Sequence, residues 1–600
     1  MNSDTPSIRY SVSISSVTNN IISVKLDIAE PDKHGQKLTL PAWIPGSYMI
    51  RDFSKNIVQL VVATQDGRSL NYHKTNKQTW QIEPYSGPLS VEYSVYAFDL
   101  SVRSAYLNDE FAFFNGTSLF LAVEGQTDNK CEVEFSKPSF DCAKNWRVAT
   151  SLPVARSTHI HDFGEYQAAN YGDLIDHPVV YSHFDLVQFA IDEVKFELVL
   201  VGGHHANTAR ISEDLKKICQ HHFDLFEKPI PFKRYLFLTL LSHSGFGGLE
   251  HKYSTALMYS RDQLLGLDES AEPSEGYRTF LSLCSHELFH AWHVKRIQPL
   301  ELQNASLLKE AYTEQLWIYE GFTSYFDDAS LARCKVISNE SYLEIVGQNL
   351  TRLLRNNGRM KQTITESSYD AWTKFYQQDA SAINNIVSYY NKGAIVAMCL
   401  DLSIRLESSG KYSLDDVMKL LWNLHGKTGL GTDKYVIQQI LDNKLNLDLD
   451  DFLDNALYTT NELPVEALLR EFGISLKTRA RVNQEDKGGK PQSKCAKHAF
   501  GAVTVTQDTG VKITQVSEKS PASIAGLQVG DHLITIDSWQ VNNDQIQSRI
   551  DQCFVGTNVE LVCLRDRKLK VLTMPIMPAP LDTIYLEVSD REKLKEWLIE

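Results

Sequence analysis

The segment TFLSLCSHELFHAWHV (279–294) decides how this chain of 600 residues is read. Its apolar residues recur at helical spacing, which predicts an amphipathic helix. Within it, His286-Glu287-Leu288-Phe289-His290 is an H-E-x-x-H motif. Residues four apart share one helix face, so both imidazoles can reach a single zinc ion while Glu287 stands beside it to polarise a bound water. Leu283, Leu288, Phe289 and Trp292 are expected to pack the remaining surface of this helix.

The residues downstream separate the kinds of zinc site. A metzincin needs Gly at 293 and His at 296, where this chain has His293 and Arg296. A gluzincin instead takes a carboxylate from a following helix, for which Glu301, Glu310, Glu314 and Glu320 are candidates. Glu320 is preferred because it lies in LWIYEGFTSYF (316–326), whose aromatic residues are expected to bury it beside the first helix. His293, Lys295 and Arg296 are read as facing solvent or capping the helix. The pairs His204-His205 and His221-His222 are read as surface histidines, because adjacent residues point to different faces.

Working outward, the chain is too long for one hydrophobic core, since cores stop growing at roughly 250–300 residues. Alternating short segments such as YSVSISSV, IISVKLDIA and NIVQLVVAT predict an all-β domain over 1–180. A catalytic domain follows over 181–465, with β-rich runs (VKFELVLV, KRYLFLTLL, STALMYS), a helix at Ser212–Phe226 and a largely helical remainder. Residues 466–580 are expected to form a small β module with a polar linker near 479–494, and 581–600 a C-terminal tail. The fold class expected is a multidomain α+β protein.

Composition narrows the function classes. The formal charge of −15 and pI near 5.7 argue against a phosphate-binding surface, so nucleic acid is not expected as a partner. The nine cysteines have no short paired spacings, which suits reduced thiols. The start, MNSDTPSIRYSVSI, lacks the pattern of a signal peptide, and no stretch approaches the length of a membrane span. A cytoplasmic location is expected, and the oligomeric state is not legible.

The segment Trp317-Ile318-Tyr319-Glu320-Gly321-Phe322 resembles the W-x-x-E-G-F segment that supplies the third zinc ligand in gluzincin aminopeptidases. More specifically, the chain resembles the glycyl aminopeptidase family, which joins an N-terminal β domain, a thermolysin-like catalytic domain and a C-terminal PDZ domain. The resemblance is carried by LPAWIPGSYMIRDFSK (40–55), YAFDLSVRSAY (96–106), HELFHAWHVKRIQP (286–299) and the C-terminal module. The carboxylate spacing of the larger gluzincin aminopeptidase pattern lands here on Lys309; the longer gap to Glu320 suits the glycyl branch, with Glu310 a minor rival.

The resemblance implies the remaining roles. Gly247-Gly248-Leu249-Glu250-His251 is similar to the G-x-M-E-N loop, whose Glu binds the substrate's N-terminal ammonium and whose glycines let backbone approach the peptide; His251 departs from its Asn. Tyr390-Asn391-Lys392-Gly393 is similar to the segment whose tyrosine stabilises the oxyanion, with Tyr389 the alternative to Tyr390. Ser520-Pro521-Ala522, Ala525-Gly526-Leu527 and Gly530-Asp531 resemble protease-associated PDZ domains, with Phe500-Gly501-Ala502 as the loop that receives a terminal carboxylate. The implied protein is a metallo-aminopeptidase with one Zn2+ per chain, peptide substrates with a free N-terminus, a preference for Gly or Ala, and a peptide or protein ligand at the PDZ-like domain. The alternatives are a zinc endopeptidase and a PDZ-bearing peptide-binding protein with an inactive zinc site.

Overall fold

Strict alternation in the opening segment has its physical outcome in Ile8–Ser16, where Ile8, Tyr10, Val12 and Ile14 are buried and the side chains between them are less so. That is the period of a strand with one face on a core. The computed structural model describes residues 7–267, 269–507 and 510–598. The first six residues of the opening segment and the last two of the C-terminal one lie outside these. The chain folds as two compact units, Met1–Tyr312 with Leu421–Thr432, and Thr313–Leu420 with Asp433–Glu600.

The first unit begins with a β-rich domain. Its seven-stranded sheet runs in the order Gly164–Ala168, Cys131–Phe135, Ile8–Ser16, Ile21–Ile28, Leu89–Tyr96, Ile57–Thr64 and Ser69–Leu70, and two four-stranded sheets accompany it. A five-stranded sheet follows, ordered Phe184–Ile191, Val194–Val201, Arg234–Ser242, Ser254–Ser260 and Phe246–Glu250. The middle three strands are parallel, and their near-continuous apolar runs are what a strand covered on both faces requires. Phe246–Glu250 pairs antiparallel with its neighbour and forms the sheet edge. Thr208–Phe226, which begins a turn earlier than the predicted helix, and Glu275–Phe289 pack on one another and on this sheet.

The helix bearing the two histidines is shorter than its sequence suggests. It ends at Phe289, and the chain turns back through a bridge between His293 and Ile297, with Val294 at φ 113°. Lys295 is drawn inward by a 2.7 Å ion pair with Asp176, and His293 is fully buried. Both are therefore interior residues, not the solvent-facing or capping ones expected. His222 is buried as well, its Nε2 2.9 Å from Ser285 Oγ, so the surface reading fails there too.

The second unit holds the helices Thr323–Arg333, Asn339–Arg355 and Asn391–Glu407, the last of which is buried along most of its length because AIVAMCLDLSI is apolar on nearly every side. A separate small core around Val511, Ile513, Leu533, Ile550, Leu561 and Met574 underlies a sheet beginning Ala502–Gln507, Gly510–Val516, His532–Ile536 and continuing with Asn558–Arg565 and Lys568–Pro575. The segment expected to be a tail is built in: Thr583–Val588 pairs with Ile474–Arg479, and Thr351 Oγ1 accepts a 2.8 Å bond from Ile584 N. Trp597 is buried and donates 3.0 Å to the Tyr325 hydroxyl. The architecture is a mixed α+β one with an N-terminal β-rich domain, a largely helical middle and a C-terminal β module. Among the described residues no helix is long and apolar enough to cross a membrane.

Candidate active site

Helix Glu275–Phe289 starts at Ser274, whose hydroxyl accepts from Tyr277 N. Its apolar face packs through Phe289 on Phe226, ring centroids 5.0 Å apart. That anchoring sets where His286 and His290 point. His290 Nδ1 lies 2.8 Å from the His293 carbonyl, which can only accept, so Nδ1 carries the proton and Nε2 keeps its lone pair for a ligand. The Nε2 atoms of His286 and His290 are 3.1 Å apart. Two nitrogens each roughly 2.0–2.1 Å from a tetrahedral zinc stand about 3.3 Å apart, so the pair fits one ion.

Glu287, 5% exposed, lies against the edge strand Phe246–Glu250. A β-carbon added at Gly248 would stand 1.8 Å from Glu287 Oε1, so the absence of a side chain there is what admits the carboxylate. The Tyr235 hydroxyl donates 3.2 Å to the Glu287 carbonyl and ties the helix to the sheet beneath. Arg103 of the β-rich domain donates 3.1 Å to the Gly248 carbonyl. The strand ends in Glu250, a carboxylate also 5% exposed. His251 beside it is buried, its Nδ1 3.2 Å from Asp176 Oδ1. Burial acts to raise the Asp176 pKa, but Lys295 and His251 outweigh it and hold the carboxyl well below the usual range. Sequence reasoning missed this Asp176-His251-Lys295 cluster because its members are distant in the chain and Asp176 lies in no motif.

In the second unit, Trp317–Phe322 is a single π-helical turn leading into Thr323–Arg333, and all six of its residues are buried. Gly321 meets Gly393 of helix Asn391–Glu407 so closely that a β-carbon at Gly321 would lie 2.6 Å from the Gly393 Cα. This crossing of two glycines brings Glu320, one residue before the first, near Tyr390, three before the second. The Tyr390 phenol is 3.4 Å from that of Tyr376. Burial first, then the Glu320 carboxylate and the adjacent tyrosines, push Tyr390 well above its ordinary pKa, so it is a neutral donor. Tyr389 is fully buried, its ring 4.8 Å from that of Phe375.

Among the described residues, one group of histidine, cysteine and carboxylate side chains could hold a metal ion: His286, His290 and Glu320, with one ligand atom of each within 4.8 Å of the others. Glu320 is 2% exposed, whereas the rival Glu310 is exposed. Two imidazoles and one carboxylate are a donor set that suits zinc.

In the C-terminal module a cavity of about 610 Å³ is lined by Phe500, Gly501, Thr504, Ile546 and Gln547 among others. Ala502–Gln507 is the edge strand there, and Gln484 closes part of it: its Nε2 donates 3.1 Å to the Thr504 carbonyl, and Thr504 N donates 3.2 Å to its Oε1.

Comparison with known proteins accords with this anatomy. Residues 9–183 match the Peptidase M61 N-terminal domain, 279–396 the M61 glycyl aminopeptidase family and 484–576 the PDZ domain. A crystal structure of an aminopeptidase N family protein from Idiomarina loihiensis shares 41% identity and a TM-score of 0.96, covering 99% of this chain and 100% of that one. A mutant M1 zinc metallopeptidase from Deinococcus radiodurans overlaps 76% of this chain and 95% of its own at 11% identity and a TM-score of 0.45. Tax1-binding protein 3 of Homo sapiens is 44% identical over 46 residues, 7% of this chain, so the chain spans only 37% of the length of that curated relative.

Proposed function

Because the chain belongs to the M61 glycyl aminopeptidase family, we propose that it is a zinc-dependent aminopeptidase releasing small N-terminal residues, glycine and alanine first, from peptides. The observation that carries this reading is the edge strand Phe246–Glu250. Its Gly248 abuts Glu287 of the neighbouring helix, and two residues further on the strand carries Glu250, so one strand both seats the water-activating carboxylate and bears the amine-reading one.

In this reading His286, His290 and Glu320 hold the metal. Zinc, when bound, supplies Lewis acidity to the attacking water and the scissile carbonyl. Glu287 accepts the water's proton at its carboxylate and returns it to the leaving amine. Tyr390 donates its phenolic hydrogen to the oxygen on which charge develops. Glu250 pairs with the substrate's α-ammonium, and the bare backbone at Gly247 and Gly248 lets the peptide lie close to the strand. The preference for small residues rests on the family and is the part most directly open to test. At the C-terminal module we propose that an extended peptide adds to the edge strand Ala502–Gln507.

The test is hydrolysis of glycyl and alanyl 4-nitroanilides, each with and without an N-acetyl block. Cleavage of the free-amine substrates alone, abolished by chelation, restored by zinc and absent in Glu287→Gln, is expected. Cleavage of the blocked substrates would replace this reading with an endopeptidase. Turnover of no substrate in a broad N-terminal panel by zinc-loaded protein would leave a peptide-binding protein.

A further inference from the structure

The loop Ile44–Met49 of the β-rich domain belongs to no motif with an assigned role, yet it reaches Glu250. A β-carbon built on Gly46 would lie 2.4 Å from each oxygen of the Glu250 carboxylate and 2.6 Å from its Cδ. Equal distances to the two oxygens mean that the empty β-position of Gly46 faces the carboxylate fork squarely. Gly46 also has φ +92°, a left-handed conformation that strains any residue with a side chain. Two independent demands for glycine thus coincide at one residue.

The loop is held firmly. Trp43 Nε1 donates to the carbonyls of Ser306 and Lys309, at 3.1 and 2.9 Å. Ser47 N donates 3.0 Å to the Ile44 carbonyl, closing the turn around Gly46. Arg51 Nη2 donates 2.9 Å to Ser47 Oγ, and Arg51 N donates 2.7 Å to the Ala42 carbonyl. Trp43, Ile44, Ser47 and Tyr48 are all buried. A carboxylate pressed on a loop fastened at this many points has little freedom to swing.

We infer that Gly46 is a positioning residue for amine recognition: its turn is the wall against which the Glu250 carboxylate is seated. This rests on the role proposed for Glu250. It makes the N-terminal β domain a working part of substrate recognition, because the seat of the amine-reading carboxylate comes from that domain. The substitution that disturbs the seat adds one carbon, and the matching relief is a carboxylate shorter by one methylene.

The experiment measures kcat and KM for glycyl 4-nitroanilide with Gly46→Ala, Glu250→Asp, the double variant and Glu250→Gln, alongside zinc content and the unfolding midpoint. Gly46→Ala is expected to raise KM about tenfold or more, the scale of a displaced charge-assisted hydrogen bond, with a smaller effect on kcat and zinc retained. The double variant is expected to have a lower KM than the product of the two single effects predicts, because Glu250→Asp withdraws the carboxylate from the added carbon. If Gly46→Ala yields no folded protein, KM is read on Ser47→Ala, which removes the Arg51 tie to the loop without adding an atom; an unchanged KM there overturns the inference. A normal KM in Gly46→Ala, or single effects that simply multiply, overturns it while a raised KM in Glu250→Gln leaves the proposed function standing. A normal KM in Glu250→Gln removes the amine-reading role of Glu250 and the inference with it.

Discussion

The Gly248 Cα and the Glu287 carboxylate are in such close contact that a β-carbon on the first would stand 1.8 Å from Oε1 of the second. The carboxylate of the H-E-x-x-H motif thus owes its position to a glycine on a neighbouring strand. Gly248→Ala is expected to lower kcat by roughly 10²–10⁴-fold, the range of a general base, because the added methyl forces the carboxylate aside. Zinc stoichiometry measured by atomic absorption should remain that of the parent. Full activity in this variant would show that Glu287 can work from another position.

Tyr390→Phe is expected to reduce kcat by about 10²–10³-fold with little change in KM, the pattern of a donor used only in the transition state. Tyr389→Phe should cost far less, since that ring is buried against Phe375 and owes its place to packing. Steady-state kinetics on glycyl 4-nitroanilide discriminate the two, and a larger loss for Tyr389→Phe would exchange their roles.

Acid sensitivity should trace in part to Glu197. Burial acts to raise its pKa, but the bond with His161 and the pairing with Arg234, at 2.6 Å, bring it from 4.5 to about 2. A carboxyl depressed in the folded state contributes stability that is present above its unfolded pKa and lost as pH falls from 4.5 toward 2. The shift corresponds to about 3 kcal/mol. Glu197→Gln is expected to be less stable than the parent at neutral pH and to lose less on acidification, as read by unfolding midpoints across that window. Parallel curves for the two proteins would remove Glu197 from the acid response.

Gln484 substitutes for a neighbouring strand at Thr504, accepting from its N–H and donating to its carbonyl. Gln484→Ala should speed hydrogen exchange of the Thr504 amide about fivefold, consistent with loss of one hydrogen bond of ~1 kcal/mol. Amides of Gly510–Val516, paired on the other side, should keep their rates. Unchanged exchange at Thr504 would mean that this edge is protected by something other than the carboxamide.

The α+β class and the helix bearing His286 and His290 are legible because local patterns govern them. Alternation buries one face of a strand, and spacing by four aligns two imidazoles. The helix's early end was not legible, because Lys295 is pulled inward by Asp176, more than a hundred residues away. For the same reason His222 reads as a surface residue although it is buried: its partner Ser285 comes from another helix. The segment 581–600 reads as a tail for want of a motif, and it folds because Ile474–Arg479 offers it an edge to pair with.

The sequence alone singled out His286, Glu287 and His290 as candidates for binding a metal and activating water, since ligand chemistry and helical spacing are properties of residue type and local geometry. Only the tertiary structure decided what seats those side chains. The missing β-carbons of Gly248 and Gly46 define the positions of Glu287 and Glu250, and the contact of Gly321 with Gly393 brings Glu320 near Tyr390. A glycine's emptiness has meaning only in terms of the neighbour that fills it, and that neighbour is chosen by packing between segments far apart in the chain.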